Sequence, residues 1–132
     1  MSRLRAGYCA VERWPGAIVT GARPGQNEAM RQKELRIALI CYGGVSLAVY
    51  MHGVTKEVWK LARASRAFCA GEERPAGVEG AYHDLLGELA RNNGLRLRVL
   101  PDIVTGASAG GINAVFLAQA LHSGQNLEAL TE

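Results

Sequence analysis

Residues Val104 to Asn113 read Val-Thr-Gly-Ala-Ser-Ala-Gly-Gly-Ile-Asn, and they constrain the fold more than any other stretch. The pentad Gly106-Ala107-Ser108-Ala109-Gly110 directly follows an apolar run and directly precedes a helical pattern. A serine on a sharp strand-to-helix turn, a nucleophile elbow, needs that context, because the turn lifts its hydroxyl clear of the backbone. Glycines at both ends and alanines on either side keep bulky side chains out of a strained turn. With 16 glycines in 132 residues, a Gly-x-Ser-x-Gly pentad arises by chance about 0.07 times per chain. A strand leading at once into a helix is also the unit from which parallel sheets are built.

The rest of the chain repeats that unit. Leu35-Arg-Ile-Ala-Leu-Ile-Cys41 is a short apolar run that stops at Gly43-Gly44, the pattern of a strand buried in a parallel sheet. From Val45 the period changes. Leu47, Met51, Val54, Val58 and Leu61 recur at spacings of three and four, predicting one apolar helical stripe through about Arg66. Residues 69–80, rich in glycine and holding Pro75, read as a loop. Tyr82, Leu85, Leu86 and Leu89 predict a second helix, closed by Asn92-Asn93-Gly94. Leu95 to Val99 alternates, and Asp102 to Thr105 forms the strand that delivers Ser108. Ala114, Leu117, Ala118 and Leu121 mark a third helix ending near Ser123-Gly124, and residues 127–132 read as the start of another.

The order β-α-α-β-α predicts an α/β fold with a parallel sheet. Residues 1–33, with Pro15-Gly16, Pro24-Gly25 and no sustained period, are expected to form a poorly ordered extension; Met30 is a candidate native start. Residues 34–132 then form the domain. Two or three strands fall short of the ~5–6 of a typical sheet, and no stop signal follows Leu127. The expectation is an N-terminal part of a domain, truncated after the elbow helix and incomplete at its C-terminus.

Charge excludes some classes. Residues 1–36 hold seven Lys/Arg against three acids, and residues 37–132 hold eight against nine, so the net +3 belongs to the first segment. No basic patch with interleaved aromatics points to nucleic acid. Lys56, Lys60 and Arg63 are expected on one solvated helix face. The cysteines, Cys9, Cys41 and Cys69, are odd in number and form no C-x-x-C pair. That pattern fits neither a disulfide framework nor a zinc site, and it suits a reducing compartment. Cys41 reads as a small buried hydrophobe, and no metal or cofactor is expected. Ile37 to Val54 lacks Asp, Glu, Lys and Arg and is long enough to suggest a membrane span, but Gly43-Gly44 in its middle favours strand-turn-helix. Glu12 and Arg13 interrupt any signal-peptide core, so a cytoplasmic location is expected, with any membrane contact peripheral.

A nucleophilic serine needs oxyanion donors and a base. The turn Gly43-Gly44-Val45 after the first strand offers backbone amides at the start of the following helix, whose dipole adds positive potential. Ser46 reads as that helix's N-cap. His52, His83 and His122 fall on the three helices at no triad-like spacing to an acid. Of the two aspartates, Asp84 reads as a helix N-terminal acid, and Asp102 begins the strand that ends near Ser108, so it is expected at the far end. No residue reads as the base.

Gly106-Ala-Ser-Ala-Gly-Gly-Ile-Asn113 after Pro101-Asp-Ile-Val104, together with Ile37-Ala-Leu-Ile-Cys-Tyr-Gly-Gly-Val-Ser-Leu-Ala-Val-Tyr-Met-His-Gly-Val54, resembles the patatin-like phospholipases. The likeness covers about Glu34 to Gly124 and is strongest for the bacterial patatin-related branch. It implies a three-layer α/β fold with a parallel sheet and hydrolysis of lipid acyl esters by a Ser–Asp dyad without histidine. Ser108 matches the family's nucleophile and Gly43-Gly44-Val45 its oxyanion turn. The dyad Asp, in a downstream Asp-Gly-Gly or Asp-Gly-Ala motif, matches nothing here, so these residues alone are expected to be inactive. The plant-type turn has a third glycine and an arginine where this chain has Val45 and Ser46.

Two rivals differ in class. Val104-Thr-Gly-Ala-Ser-Ala-Gly-Gly-Ile112 also resembles the Thr-Gly-x-x-x-Gly-x-Gly turn of short-chain dehydrogenases, where glycines cradle a dinucleotide pyrophosphate. Its last glycine falls one place early, and an earlier strand–Gly-Gly–helix unit precedes it. The other rival is a truncated, inactive remnant or interaction module.

Overall fold

The computed structural model describes residues 30–44 and 46–127. The extension over residues 1–29, Cys9, Val45 and the helix expected to begin in residues 127–132 lie outside them, except Leu127, which is a buried bend. Strand β1 (Arg31–Cys41), helix α1 (Leu47–Ala70), helix α2 (Gly77–Asn93), strand β2 (Leu95–Gly106) and helix α3 (Ser108–Ser123) follow in the expected order. β1 and β2 pair in parallel, so the class is α/β. The described residues form a two-stranded sheet with three helices, less than the three layers the resemblance implies.

Both strands run longer than the sequence suggested. Arg31 to Lys33, assigned to the extension, belong to β1 because β2 begins at Leu95 and offers them a ladder. The amide of Arg31 donates to the Gly94 carbonyl at 2.8 Å. β2 runs through Pro101, which has no amide to give the ladder. The strand accommodates it with a bulge: Pro101 pairs with Ile37 and Ile103 with Ala38, leaving Asp102 unopposed. Asp102 therefore does not begin the strand. It lies past its middle, and Arg36 holds its carboxylate at 3.3 Å.

α1 turns a different side inward from the one its large apolar residues mark. Thr55, Trp59, Ala62, Ala64, Ser65 and Ala67 are buried, while Leu47 is exposed and Met51, Val54, Val58 and Leu61 are only partly covered. Small side chains let the helix approach the sheet closely. The Ser65 hydroxyl accepts the Val99 amide of β2 at 2.7 Å, and the Thr55 hydroxyl donates to the His52 carbonyl at 2.9 Å. α1 ends at Gly71, φ +71°, four residues beyond Arg66 in its last helical residue, because Ala67 is still buried.

The basic residues of α1 are not a solvated face. Lys60 is mostly covered and pairs with Glu57 at 3.1 Å. Arg63 lies 4.6 Å over the Trp59 ring and reaches Glu79 at 3.6 Å. α2 starts at Gly77, so the loop is confined to residues 71–76. Asp84 falls inside α2, paired with Arg74 of the loop at 2.7 Å; Glu79 is the first-turn acid. The helix ends at Gly94, φ +58°, where the sequence placed its stop.

α1 and α3 bury Trp59, Leu117 and Ala120 with Leu127, against Leu39 of β1 and Val104 of β2. Leu117 is fully buried, and Leu117→Ala is expected to lower unfolding free energy by about 2–5 kcal/mol, measured by denaturant titration.

α2 is tied to α1 by the Tyr82 hydroxyl, which donates to Glu57 at 2.9 Å. Burial pushes the Glu57 carboxyl up, but Tyr82 and Lys60 outweigh it and hold its pKa below the usual value. The same bond to Glu57, with burial, raises the Tyr82 phenol. A depressed acid stabilises above its unfolded pKa and loses that as pH falls through the folded value; a raised phenol stabilises below its unfolded pKa and loses that at high pH. Tyr82→Phe is therefore expected to cost most between these limits, about 1 kcal/mol or less for a half-exposed carboxylate. NMR titration of Glu57 should show its pKa rising in the variant.

Candidate active site

β1 and β2 end side by side, with Cys41 opposite Gly106. The chain leaves β2 through Ala107 and turns into α3 at Ser108. The Ala107 amide donates to the Cys41 carbonyl at 3.1 Å, so the end of β1 holds the start of the turn. Ser108 adopts φ +52°, and among the described residues it is the one non-glycine residue with positive φ. That conformation costs an L-residue about 1–3 kcal/mol and persists where the surroundings enforce it. The side chain is exposed, at the first position of α3. This is the elbow geometry the pentad predicts.

The glycines have identifiable tasks. A Cβ on Gly110 would collide with the carbonyl oxygens of Cys41 and Tyr42. One on Gly106 would lie 2.7 Å from the Gly110 carbonyl and 2.8 Å from that of Cys41. These are backbone atoms, and they cannot swing aside.

The structure also brings the two sequence motifs together. A Cβ on Gly43 would meet the Ala107 carbonyl oxygen at 2.7 Å and the Ser108 Cβ at 2.8 Å. The glycine turn thus lies against the nucleophile candidate itself. Gly44 takes φ +147° three residues before α1, whose Leu47 amide donates to the Gly44 carbonyl at 3.1 Å. Val45, the third predicted oxyanion residue, lies outside the described residues. Ser46 occupies the N-cap position in helical geometry, φ −70° and ψ −22°, and its hydroxyl makes no cap hydrogen bond.

One set of donors was not singled out from the sequence. The first intrahelical bond of α3 runs from the Gly111 amide to the Ala107 carbonyl, 3.1 Å. The amides of Ala109 and Gly110 precede it and have no intrahelical acceptor. Ala109, immediately after the serine, is where a nucleophile elbow supplies an oxyanion donor. A signal was present in the pentad, but its alanines read as steric spacers. Asn113 was also passed over: it is buried and donates to the carbonyls of Ala48 and Ala109.

No base joins this arrangement among the described residues. The carboxylates of Asp84 and Asp102 are held by Arg74 and Arg36. His83 packs edge-on against Phe68, ring centroids 5.4 Å apart. His122 is fourteen residues along α3 from Ser108, roughly 20 Å at the helical rise. The half-buried His52 on α1 has no hydrogen-bond partner for its Nε2 among the described residues. No acceptor pairs with the Ser108 hydroxyl among the described residues. Cys41 is fully buried, as expected, and burial raises its thiol pKa. Cys41 and Cys69 are free thiols, and no group of three or more metal-ligating side chains occurs among the described residues.

A groove of about 510 Å³ opens beside Ser108, lined by Thr105, Gly111, Ile112, Val115 and Phe116 among others. Ile112 and Val115 are 59% and 63% exposed. The walls named carry no charge.

No protein-family profile matches the chain, and no solved structure matches it. A curated relative from Mycobacterium tuberculosis, named "Uncharacterized membrane protein Rv3479", is 36% identical over 120 residues, 85% of this chain. The chain spans 10% of that relative's length. Among the described residues no helix is long and apolar enough to cross a membrane.

Gly110→Ala is expected to prevent β1 from closing on the elbow. The Cβ collides with two carbonyl groups, so thermal unfolding should show a large loss of midpoint or no cooperative transition. Gly53→Ala, with open space around its position, should be neutral or stabilising by up to about 1 kcal/mol.

Proposed function

We propose that Ser108 is the nucleophile of a serine acyl hydrolase acting on lipid acyl esters, with Gly43, Gly44 and the Ala109 amide around its oxyanion. The observation that carries this reading is the left-handed Ser108 at the strand–helix junction, with Gly43 packed against its Cβ. The closeness of β1 fixes a left-handed residue at this position, but that packing does not require a serine, since glycine takes such a conformation without strain. A preorganised turn that presents a hydroxyl beside amides with no intrahelical acceptor does require one.

In this reaction the Ser108 Oγ attacks the ester carbonyl carbon and gives its proton to a base. The carbonyl oxygen becomes an oxyanion facing the turn amides and the N-terminus of α3. Collapse of the tetrahedral intermediate expels the alcohol, which takes a proton, and leaves an acyl-serine. Water then attacks that ester, releasing the fatty acid and restoring the hydroxyl. The base is the Asp that the resemblance to patatin-like phospholipases implies. No residue of this sequence matches that Asp, and the two aspartates present are each held by an arginine. The uncharged groove beside Ser108 suits an acyl chain, and contact with a lipid surface would be peripheral. The domain of which these elements form part is then the three-layer α/β fold of that family.

Labelling with a fluorophosphonate tests the nucleophile. Ser108 Oγ displaces fluoride from phosphorus, and the adduct is located by peptide mass spectrometry. An oxyanion hole without its full catalytic set still retains roughly 10³–10⁴-fold acceleration over water, so the 132-residue chain should label slowly at Ser108 and Ser108→Ala should not. Equal labelling of the two would overturn the reading. The same chain is expected to turn over p-nitrophenyl esters no faster than Ser108→Ala. Robust Ser108-dependent turnover would place the base within these residues.

A further inference from the structure

We propose that Asn113 is a positioning residue that sets the oxyanion turn against the nucleophile; the proposal rests on the reading of Ser108 given above. Asn113 is 7% exposed on α3, among small and apolar neighbours. A buried carboxamide is costly unless its polar atoms are satisfied, and an apolar residue would pack there without that cost. Its Nδ2 donates to the Ala109 carbonyl at 3.2 Å and to the Ala48 carbonyl at 3.0 Å. A carboxamide nitrogen has two protons, one for each of these acceptors.

The two acceptors belong to the two halves of the site. Ala109 follows Ser108 directly and carries an elbow donor. Ala48 is the second residue of α1, and the first bond of that turn returns from Leu47 to Gly44. Gly43 and Gly44 therefore hang from the end of α1 that Asn113 grips. The ladder between β1 and β2 fixes Cys41 against Gly106, but α1 begins beyond it. The Asn113 bond crosses from α3 to α1 after that gap, so one side chain ties the serine's helix to the glycine turn. Its amide donates to these two carbonyls and not to the serine hydroxyl, and it is not among the residues that line the groove. Its effect is on distance, and misplacement by about 1 Å can cost 10²-fold in rate.

The test uses fluorophosphonate kinetics at Ser108 with Asn113→Leu, which keeps the branched four-atom side chain and removes the donors, and Asn113→Asp, whose carboxyl donates only when protonated. Asn113→Leu is expected to lower the labelling rate at saturating probe roughly tenfold to hundredfold. The half-saturating probe concentration should stay within about twofold, because a positioning residue acts on the bonding step. For Asn113→Asp the rate relative to wild type should recover in part as pH falls and the buried carboxyl takes up a proton, because its single O–H restores one of the two bonds. Wild-type rates in Asn113→Leu, or an Asn113→Asp deficit independent of pH, would overturn the proposal. Hydrogen exchange at the Leu47 amide gives a second readout that needs no reaction. It should quicken in a folded Asn113→Leu; unchanged exchange overturns the proposal. If wild type and Ser108→Ala label alike, the nucleophile reading fails, and the Leu47 exchange still decides whether Asn113 holds the turn. Should Asn113→Leu not fold, the pH response of Asn113→Asp decides alone.

Discussion

The close approach of β1 to the elbow is the constraint on which the rest depends. The carbonyls of Cys41 and Tyr42 occupy the space where Gly110 would carry a Cβ, and the Cys41 carbonyl also accepts the Ala107 amide. That contact closes only because Gly106 and Gly110 lack side chains. Once it closes, Ala107 is fixed in extended geometry and the chain must reverse within one residue to start α3. Ser108 absorbs that reversal at φ +52°. The strain is local, while the pairing and helix contacts that enforce it are distributed over β1, β2 and α3.

The sequence carried this part of the structure plainly, and the reason is physical. Glycines needed for backbone contact leave no freedom, so their spacing survives as a readable pattern. The parallel pairing, the stops at Gly94 and Gly124 and the burial of Cys41 were legible for similar reasons. What misled was hydrophobicity without context. The large apolar residues of α1 marked one stripe, but Trp59 apart the helix buries its small residues, because they let it approach the sheet closely on that side. Lys60 and Arg63 were read from charge alone, yet Glu57, Glu79 and the Trp59 ring draw them onto the protein surface. Pro101 divided β2 on paper, and a single bulge reunites it. Asn113 left no signal in a lone sequence: its acceptor Ala48 is 65 residues away and contributes only a backbone carbonyl.

The carboxylates show why residue type is a weaker guide than position. Asp84 and Asp102 were the obvious acids to weigh as bases, and each is exposed and held by an arginine. The Arg74 guanidinium holds the Asp84 carboxyl below its usual pKa, which makes it a poorer proton acceptor. A base that must take a proton from serine needs the opposite setting, a carboxylate raised toward neutrality and within reach of the hydroxyl. Arg74 gives Asp84 the reverse of that setting, and Arg36 occupies the Asp102 carboxylate.

The groove beside Ser108 bears on the choice between an acyl ester and a dinucleotide. A pyrophosphate at a glycine-rich turn is held by several backbone amides that converge on its oxygens, with room for the phosphate against the backbone. Here the serine occupies the turn's exposed position, and its Cβ lies against Gly43, where a phosphate would need that space. The neighbouring walls are Ile112, Val115 and Phe116, which offer a phosphate or ribose no polar partner from their side chains. An acyl chain asks for the reverse: apolar walls along its length and donors only at its carboxyl end. Ser108 lines the groove together with Ile112, Val115 and Phe116 of α3, an arrangement that would suit an ester whose carbonyl is at the serine and whose tail runs along α3.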